Sequence, residues 1–347
     1  DIWKIVYEGR NIDYIIQNLT QKYQVSNKQV KIDVISFLKQ LSEQNLINSN
    51  IIKNKNLTLP SFNDDNGENV LLYLEMRAIE NLIPFAVTFE TTYDCNENCV
   101  HCYMDKNLLS LRLDEIKIIL NEIAKEGCLF LTFTGGEFFM RNDALEILKY
   151  ASNLHFVIDV LSNGTLINKE IVEEISNYSV RRVQVSLYGA NQKIHDSITK
   201  VYGSFLKTIK AIELLKERDI KIEIAFPMMN QNFNELRDIK DLAERMQCVF
   251  SPNHITTARN NGLKDTFRLR ISDEQLKEFL ENEELSSSYS GRKPFKEHQF
   301  YFGFSDLLDA SPCYSGFNSC AITPLGKVFP CNQFLYEIGN LRKNSFS

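Results

Sequence analysis

Cys95-Asn-Glu-Asn-Cys99-Val-His-Cys102 gathers three of the chain's eight cysteines, and it follows directly on the apolar run FAVTFET of residues 85–91. Three thiolates can hold three irons of a [4Fe-4S] cluster and leave the fourth iron open, because thiolates are the usual cluster ligands and a fourth would close the site. The competing reading is structural zinc, which takes four N or S ligands, normally in Cys-x2-Cys pairs. The fourth ligand would then be His101, which lies between two of the cysteines and would have to fold back onto them.

Outward from the triplet, strand-like and helix-like segments alternate. Candidate strands are FAVTFET (85–91), CLFLTFT (128–134), HFVIDVLS (155–162), RRVQVSLY (181–188), IKIEIAF (220–226) and CVFSPNHI (248–255), with amphipathic stretches such as 113–125, 143–152 and 205–218 among them. Six such units in a row predict an α/β fold, a parallel sheet curled into a full or partial (β/α)6 barrel. Working residues of such a sheet sit at the C-terminal ends of its strands, which is where the triplet falls. Cys128 and Cys248 open apolar strands and read as small buried hydrophobes.

The rest of the composition narrows the function class. With 347 residues, 44% hydrophobic and 24% charged, the chain has room for a large core and an accessory domain. A formal net charge of -6 gives no basic footprint for nucleic acid. No apolar run approaches the roughly 20 residues that cross a bilayer and no signal peptide opens the chain, so a cytoplasmic protein is expected. Clustered cysteines point to metal or redox chemistry rather than a disulfide framework. The chain starts at Asp1 without Met and stops at Ser347 shortly after a Cys-rich stretch, and both ends read as cut short.

Cys-x3-Cys-x2-Cys after the first strand resembles the radical S-adenosylmethionine (SAM) superfamily, and the likeness runs from about 85 to 256. The second strand ends in Thr134-Gly-Gly-Glu137, similar to that family's GGE motif. The third ends in Ser162-Asn-Gly164, similar to its ribose-contacting segment, and the fourth in Ser186-Leu-Tyr-Gly189, followed by His195-Asp-Ser-Ile-Thr-Lys-Val-Tyr-Gly-Ser-Phe205. The resemblance implies a [4Fe-4S] cluster on Cys95, Cys99 and Cys102, with SAM on its open iron and a 5'-deoxyadenosyl radical as the product of reductive cleavage. It implies SAM contacts from His101, Tyr103, Thr134, Gly135, Gly136, Glu137, Ser162, Asn163 and Ser186, with Glu137 meeting the methionine amino group. Many members carry an Arg near the position of Thr199; this sequence has none there. No catalytic side chain is assigned.

The flanks resemble two accessory elements. Cys313-Tyr-Ser-Gly-Phe-Asn-Ser-Cys320-Ala-Ile-Thr-Pro-Leu-Gly326-Lys-Val-Phe-Pro-Cys331 resembles the start of a SPASM or twitch extension, implying an auxiliary iron-sulfur cluster with Cys313 and Cys331 as ligands and Cys320 as an extra. A β-hairpin with incidental thiols is the alternative. At the other end, Ile12, Ile15, Ile16, Leu19 and Tyr23, then Val30, Val34, Phe37, Leu38 and Leu41, recur at helical spacing, with a capping-box pattern at Ser26–Gln29. These helices resemble the C-terminal part of a PqqD-like element that grips the leader of a precursor peptide. A dimerisation domain or a DNA-binding helix-turn-helix are the other readings, the second disfavoured by the lack of a basic stripe.

The expected layout is a winged-helix-like leader-recognition domain at 1–50, a linker with a lead-in helix near 70–82 at 51–83, a radical SAM core at 84–285 and a Cys-rich extension at 286–347. The aromatics of YFGFSDLL (301–308) read as packing. The function implied is a peptide maturase that takes electrons from a flavodoxin- or ferredoxin-type reductant and installs a thioether. Radical C-C cross-linking or epimerisation of a peptide, and a non-peptide enzyme of cofactor biosynthesis or sulfatase maturation, stay open. A zinc-stabilised binding protein is the remaining reading from another class.

Overall fold

The computed structural model describes residues 12–23, 25–43, 74, 78–79, 81–104, 109–286 and 315–346. Cys313, YFGFSDLL, the polar linker and most of the 70–82 segment lie outside the described residues. The chain divides into two compact units, one of residues 1–85 with 123–128 and one of 86–122 with 129–347.

In the first unit, α1 (Ile12–Tyr23) and α2 (Asn27–Glu43) pack together. Their contact faces bury Ile15, Ile16 and Leu19 from α1 and Val30 and Val34 from α2, as the spacing predicts. The cap of α2 is half of the expected box. Ser26 Oγ accepts from the Gln29 amide at 3.3 Å, but Gln29 turns its side chain along the helix to Asp33 Oδ1 at 2.8 Å instead of back to Ser26.

The second unit is built on one sheet of nine strands, ordered β6-β5-β4-β3-β2-β1-β7-β8-β9. Seven are mutually parallel, and six of these follow one another along the core, namely β1 (Ala86–Thr92), β2 (Phe130–Gly135), β3 (Val157–Ser162), β4 (Val180–Ser186), β5 (Ile222–Pro227) and β6 (Val249–Asn253). Each adds beside its predecessor, and α3 (Leu113–Lys125), α4 (Ala144–Asn153), α5 (Lys169–Ser176), α6 (Gln192–Thr199), α7 (Ser204–Lys216) and α8 (Leu236–Arg245) make the crossovers. The barrel is partial, because β1 pairs on its other side with β7 (Ser319–Ile322) of the C-terminal segment. Antiparallel β8 (Lys327–Phe329) and β9 (Gly339–Asn340) continue the sheet outward.

Alternation along the strands sets the two faces apart. Val87, Phe89, Leu131, Phe133, Ile158, Val160, Val183, Val185, Ile224 and Phe250 are buried and form the core. The residues between them include Thr134, Gln184, Ser186, Ser251 and Asn253. A parallel sheet packed on both faces reads apolar throughout. The polar second face therefore lines a cavity rather than a filled core.

The cysteines fall where the strands put them. Cys128 is buried, as expected, with its thiol 3.9 Å from the Phe85 carbonyl oxygen. Cys248 departs from expectation: it stands before the edge strand β6 and is only half-buried, with its thiol 3.5 Å from the Met246 carbonyl oxygen.

Candidate active site

A β-bulge between Glu90 and Thr92 ends the regular part of β1 and turns the chain into the loop of the three cysteines. That loop is held at several points. The Asn98 and Val100 amides donate to the Thr199 and Ile198 carbonyl oxygens at the end of α6, at 2.9 and 3.0 Å. Arg259 Nη1 donates to the Cys102 carbonyl oxygen at 2.8 Å, and the Asn260 amide to that of Tyr103 at 2.8 Å. Asn163 Nδ2 bonds Asn96 Oδ1 at 2.9 Å, and Asn96 Nδ2 bonds Thr165 Oγ1 at 2.7 Å. The loop is thus pinned by the ends of three other βα units.

Cys95, Cys99 and Cys102 all line one cavity of about 320 Å³. His101, Tyr103, Thr134, Gly135, Gly136, Ser162, Asn163 and Ser186 line it too. Eight of the nine residues expected to meet SAM are therefore brought together. The size is at the lower end of the roughly 300–1,000 Å³ usual for small-molecule sites. Among the described residues no group of three or more His, Cys, Asp or Glu side chains is gathered tightly enough for a single metal ion.

Glu137 is the exception. It is 0% exposed and does not line the cavity. Its Oε1 accepts from Ser162 Oγ at 2.9 Å and the Phe139 amide at 3.1 Å, and its Oε2 from the Asn163 amide at 2.7 Å. In this geometry the carboxylate joins the end of β2 to the end of β3. Burial raises its pKa, against the pull of those three bonds.

The two glycines before it have a steric reason. A Cβ on Gly135, at φ +133, would lie 2.1 Å from the Thr92 carbonyl oxygen, and one on Gly136 would lie 2.2 Å from that of Asp94. Only bare backbone lets the turn close on the cysteine loop, where the Gly136 and Glu137 amides donate to Thr92 and Asp94 at 2.7 and 2.8 Å. Tyr103 also differs in detail, since its hydroxyl donates to Glu90 Oε1 at 2.7 Å and so is already committed.

Burial dominates the electrostatics. It pushes the Cys99 thiol well up, with Glu97 next in effect, and Cys99 Sγ donates to Glu97 Oε2 at 3.4 Å. Burial lowers His101 to about 4, and its Nδ1 is buried without a hydrogen-bond partner. The imidazole is neutral at pH 7 and has hydrogen-bonding capacity to spare. No lysine or arginine is among the described residues that line the cavity. A bound carboxylate would meet neutral donors here, which is the structural counterpart of the missing Arg near Thr199.

The sequence reading passed over Gln184, Tyr188, Ser251, Asn253, Asn332 and Gln333, all of which line the cavity. Gln184 lies two residues before Ser186 and so shares its face. Gln184 Nε2 and Arg182 Nη1 both donate to Glu223, and Arg182 Nε donates to Asp159 at 2.9 Å, a polar ladder across β3, β4 and β5. Polar residues at every second position of otherwise apolar strands were the available signal for this face. Nothing local in the sequence indicated Asn332 and Gln333.

Of the C-terminal cysteines, Cys331 is half-buried just past β8. Cys320, the extra cysteine of this segment, is a buried strand residue. It sits within β7 opposite Val87, is 8% exposed, and burial pushes its thiol up to about 12.

Residues 89–243 match the radical SAM superfamily. The core of this chain belongs to the radical SAM superfamily. Residues 1–47 match coenzyme PQQ synthesis protein D, and residues 313–347 match SPASM, an iron-sulfur cluster-binding domain. The cofactors follow: SAM and an iron-sulfur cluster in the radical SAM core, and iron-sulfur binding in the C-terminal segment. The chain is 30% identical over 275 residues to the antilisterial bacteriocin subtilosin biosynthesis protein AlbA of Bacillus subtilis, covering 76% of this chain and 59% of AlbA. The chain thus spans little more than half the length of that relative. To the AdoMet-dependent heme synthase of Methanosarcina barkeri it is 26% identical over 284 residues, covering 76% of this chain and 81% of the synthase. Streptococcus suis SuiB bound to precursor peptide SuiA has the same fold, with a TM-score of 0.61 at 16% identity over 91% of this chain and 77% of that one. No described helix is long and apolar enough to cross a membrane.

Proposed function

We propose that this radical SAM chain is a cytoplasmic peptide maturase that removes one hydrogen atom from carbon of a ribosomally made precursor and joins a Cys sulfur there as a thioether, the thiol proton going to solvent and the remaining electron to an auxiliary iron-sulfur cluster. The observation that carries the site assignment is the convergence of Cys95, Cys99 and Cys102 with the Gly135-Gly136 turn and the Ser162-Asn163 segment on one cavity. When bound, a reduced [4Fe-4S] cluster and SAM would supply the radical chemistry. The chain's own residues do the remaining work. Cys95, Cys99 and Cys102 would hold the cluster, and the Gly-Gly turn, Ser162, Asn163, Ser186 and neutral His101 would surround the SAM. Gln184, bonded to Glu223, would line the same cavity.

A peptide substrate is supported by the PqqD match at residues 1–47, next to a relative named for bacteriocin biosynthesis. In this reading 1–50 holds the leader, 51–83 links it to the core at 84–285, and 286–347 carries an auxiliary cluster on Cys313 and Cys331. A flavodoxin- or ferredoxin-type protein supplies the electron. The heme synthase relative supports the non-peptide alternative, which has no need of a leader-binding domain.

The anaerobically purified protein is expected to contain iron and sulfide and to release 5'-deoxyadenosine from SAM with a reductant. The Cys95→Ala, Cys99→Ala, Cys102→Ala variant should release none; if it does, the cluster assignment fails. Mass spectrometry of a co-expressed precursor should show loss of two hydrogens per cross-link. Deleting residues 1–50 should leave SAM cleavage intact and cut precursor turnover, because a leader site raises effective concentration without touching the chemistry.

A further inference from the structure

We infer that Glu90 is the positioning residue of the cluster loop, a reading that rests on Cys95, Cys99 and Cys102 as cluster ligands. Glu90 is 2% exposed on β1, opposite Thr134 in the register, and does not line the cavity. It therefore stands behind the cavity wall, where it can act only through its neighbours. Its two oxygens serve two tyrosines: Oε2 accepts from the Tyr93 hydroxyl at 3.0 Å and Oε1 from the Tyr103 hydroxyl at 2.7 Å. Tyr93 stands two residues before Cys95, and Tyr103 one residue after Cys102. One carboxylate thus ties both ends of the segment that carries all three thiols.

Asn260 closes the figure. Its backbone amide donates to the Tyr103 carbonyl oxygen at 2.8 Å, and its Nδ2 reaches the Tyr93 hydroxyl at 3.4 Å. Glu90, Tyr93, Asn260 and Tyr103 form a closed hydrogen-bonded ring across the mouth of the loop. A carboxylate taken out of water is costly unless its acceptor sites are filled, so the arrangement holds both tyrosines firmly or not at all. Fixing the ends of a short loop restricts the separations its cysteines can adopt, and the thiols are set out before the cluster arrives. Residues that orient metal ligands from behind typically change metal affinity or activity by about 10- to 100-fold when lost.

The test uses the full chain, reconstituted anaerobically with iron and sulfide, as wild type, Glu90→Leu, Glu90→Gln and Tyr93→Phe. A core variant, Val183→Ala, with a comparable fall in thermal midpoint controls for loss of stability. The share of the reduced-cluster electron paramagnetic resonance signal that shifts on adding SAM counts the open-iron cluster apart from any auxiliary one. Under an iron chelator, Glu90→Leu should lose that share about tenfold faster than wild type or more. Tyr93→Phe, which keeps one of the two bonds, should fall between, and Glu90→Gln should stay nearer wild type, since its amide oxygen accepts from one tyrosine while its NH2 donates to the other's hydroxyl. Retention in Glu90→Leu equal to wild type overturns the inference, as does equally fast loss from Val183→Ala. If the wild type itself shows no SAM-shifted signal, the cluster assignment falls, and the inference with it.

Discussion

Replacing Glu137 by Gln separates two roles that the motif alone cannot tell apart. The carboxylate accepts three hydrogen bonds, from the Asn163 and Phe139 amides and the Ser162 hydroxyl, at 2.7, 3.1 and 2.9 Å. Gln can accept on one side only, and its NH2 at the Oε2 position would face the Asn163 N–H, donor against donor. A lost bond to a charged group costs about 1.5–3 kcal/mol. Relief of the buried charge, which raises the Glu137 pKa, offsets part of this, so a net loss of roughly 1–3 kcal/mol is expected. For a body of this size that lowers the thermal midpoint by roughly 2–4 °C per kcal/mol. The assay is thermal unfolding of the cluster-free, SAM-free protein, followed by calorimetric SAM titration of the reconstituted one. Displacement of Asn163 predicts a lower midpoint together with weaker SAM binding. A direct bond to the methionine amino group predicts the weaker binding alone, by roughly one to two orders of magnitude. An unchanged midpoint with such a loss of affinity would refute the positioning role.

Burial lowers His101 and His195 to about 4, so below about pH 6.5 the unfolded chain takes up protons that the folded one refuses, and stability falls between pH 6.5 and 4. At pH 5 each histidine costs roughly 2 kcal/mol, from about 1.36 kcal/mol per pKa unit, and urea midpoints for His195→Gln at pH 7 and 5 should show a shallower fall than wild type. An identical fall in both would sink that assignment. Gly135→Ala and Gly136→Ala should abolish folding or iron uptake, because their Cβ atoms would collide with backbone oxygens at 2.1 and 2.2 Å; normal iron uptake would contradict the close approach. Cys320→Val should leave iron content and folding as they are, whereas Cys331→Ala should lower iron per chain, and iron loss from Cys320→Val would return Cys320 to the ligands.

Much of this protein is written in local order along the chain. The alternation of apolar and polar residues placed all six strands within two residues of their observed bounds, because a strand's side-chain period is a property of the backbone and needs no partner. The spacing of Cys95, Cys99 and Cys102, and the motifs at the ends of β2, β3 and β4, were legible because a parallel sheet brings strand ends together whatever lies between them. Tertiary structure alone decided which way each side chain spends its bonds. Glu137, legible in its motif only as a SAM contact, is found to join β2 to β3, since its oxygens meet an amide and a hydroxyl about 25 residues further on. Glu90 looked like one more strand residue and became the tie of the cluster loop. Cys320, four residues from the turn that leads to Cys331, was drawn into the sheet by its pairing with β1. Hydrogen-bond capacity is finite and is claimed by whichever partners the fold brings within about 3 Å, so a residue's type fixes what it can bind while distance across the fold fixes what it does bind.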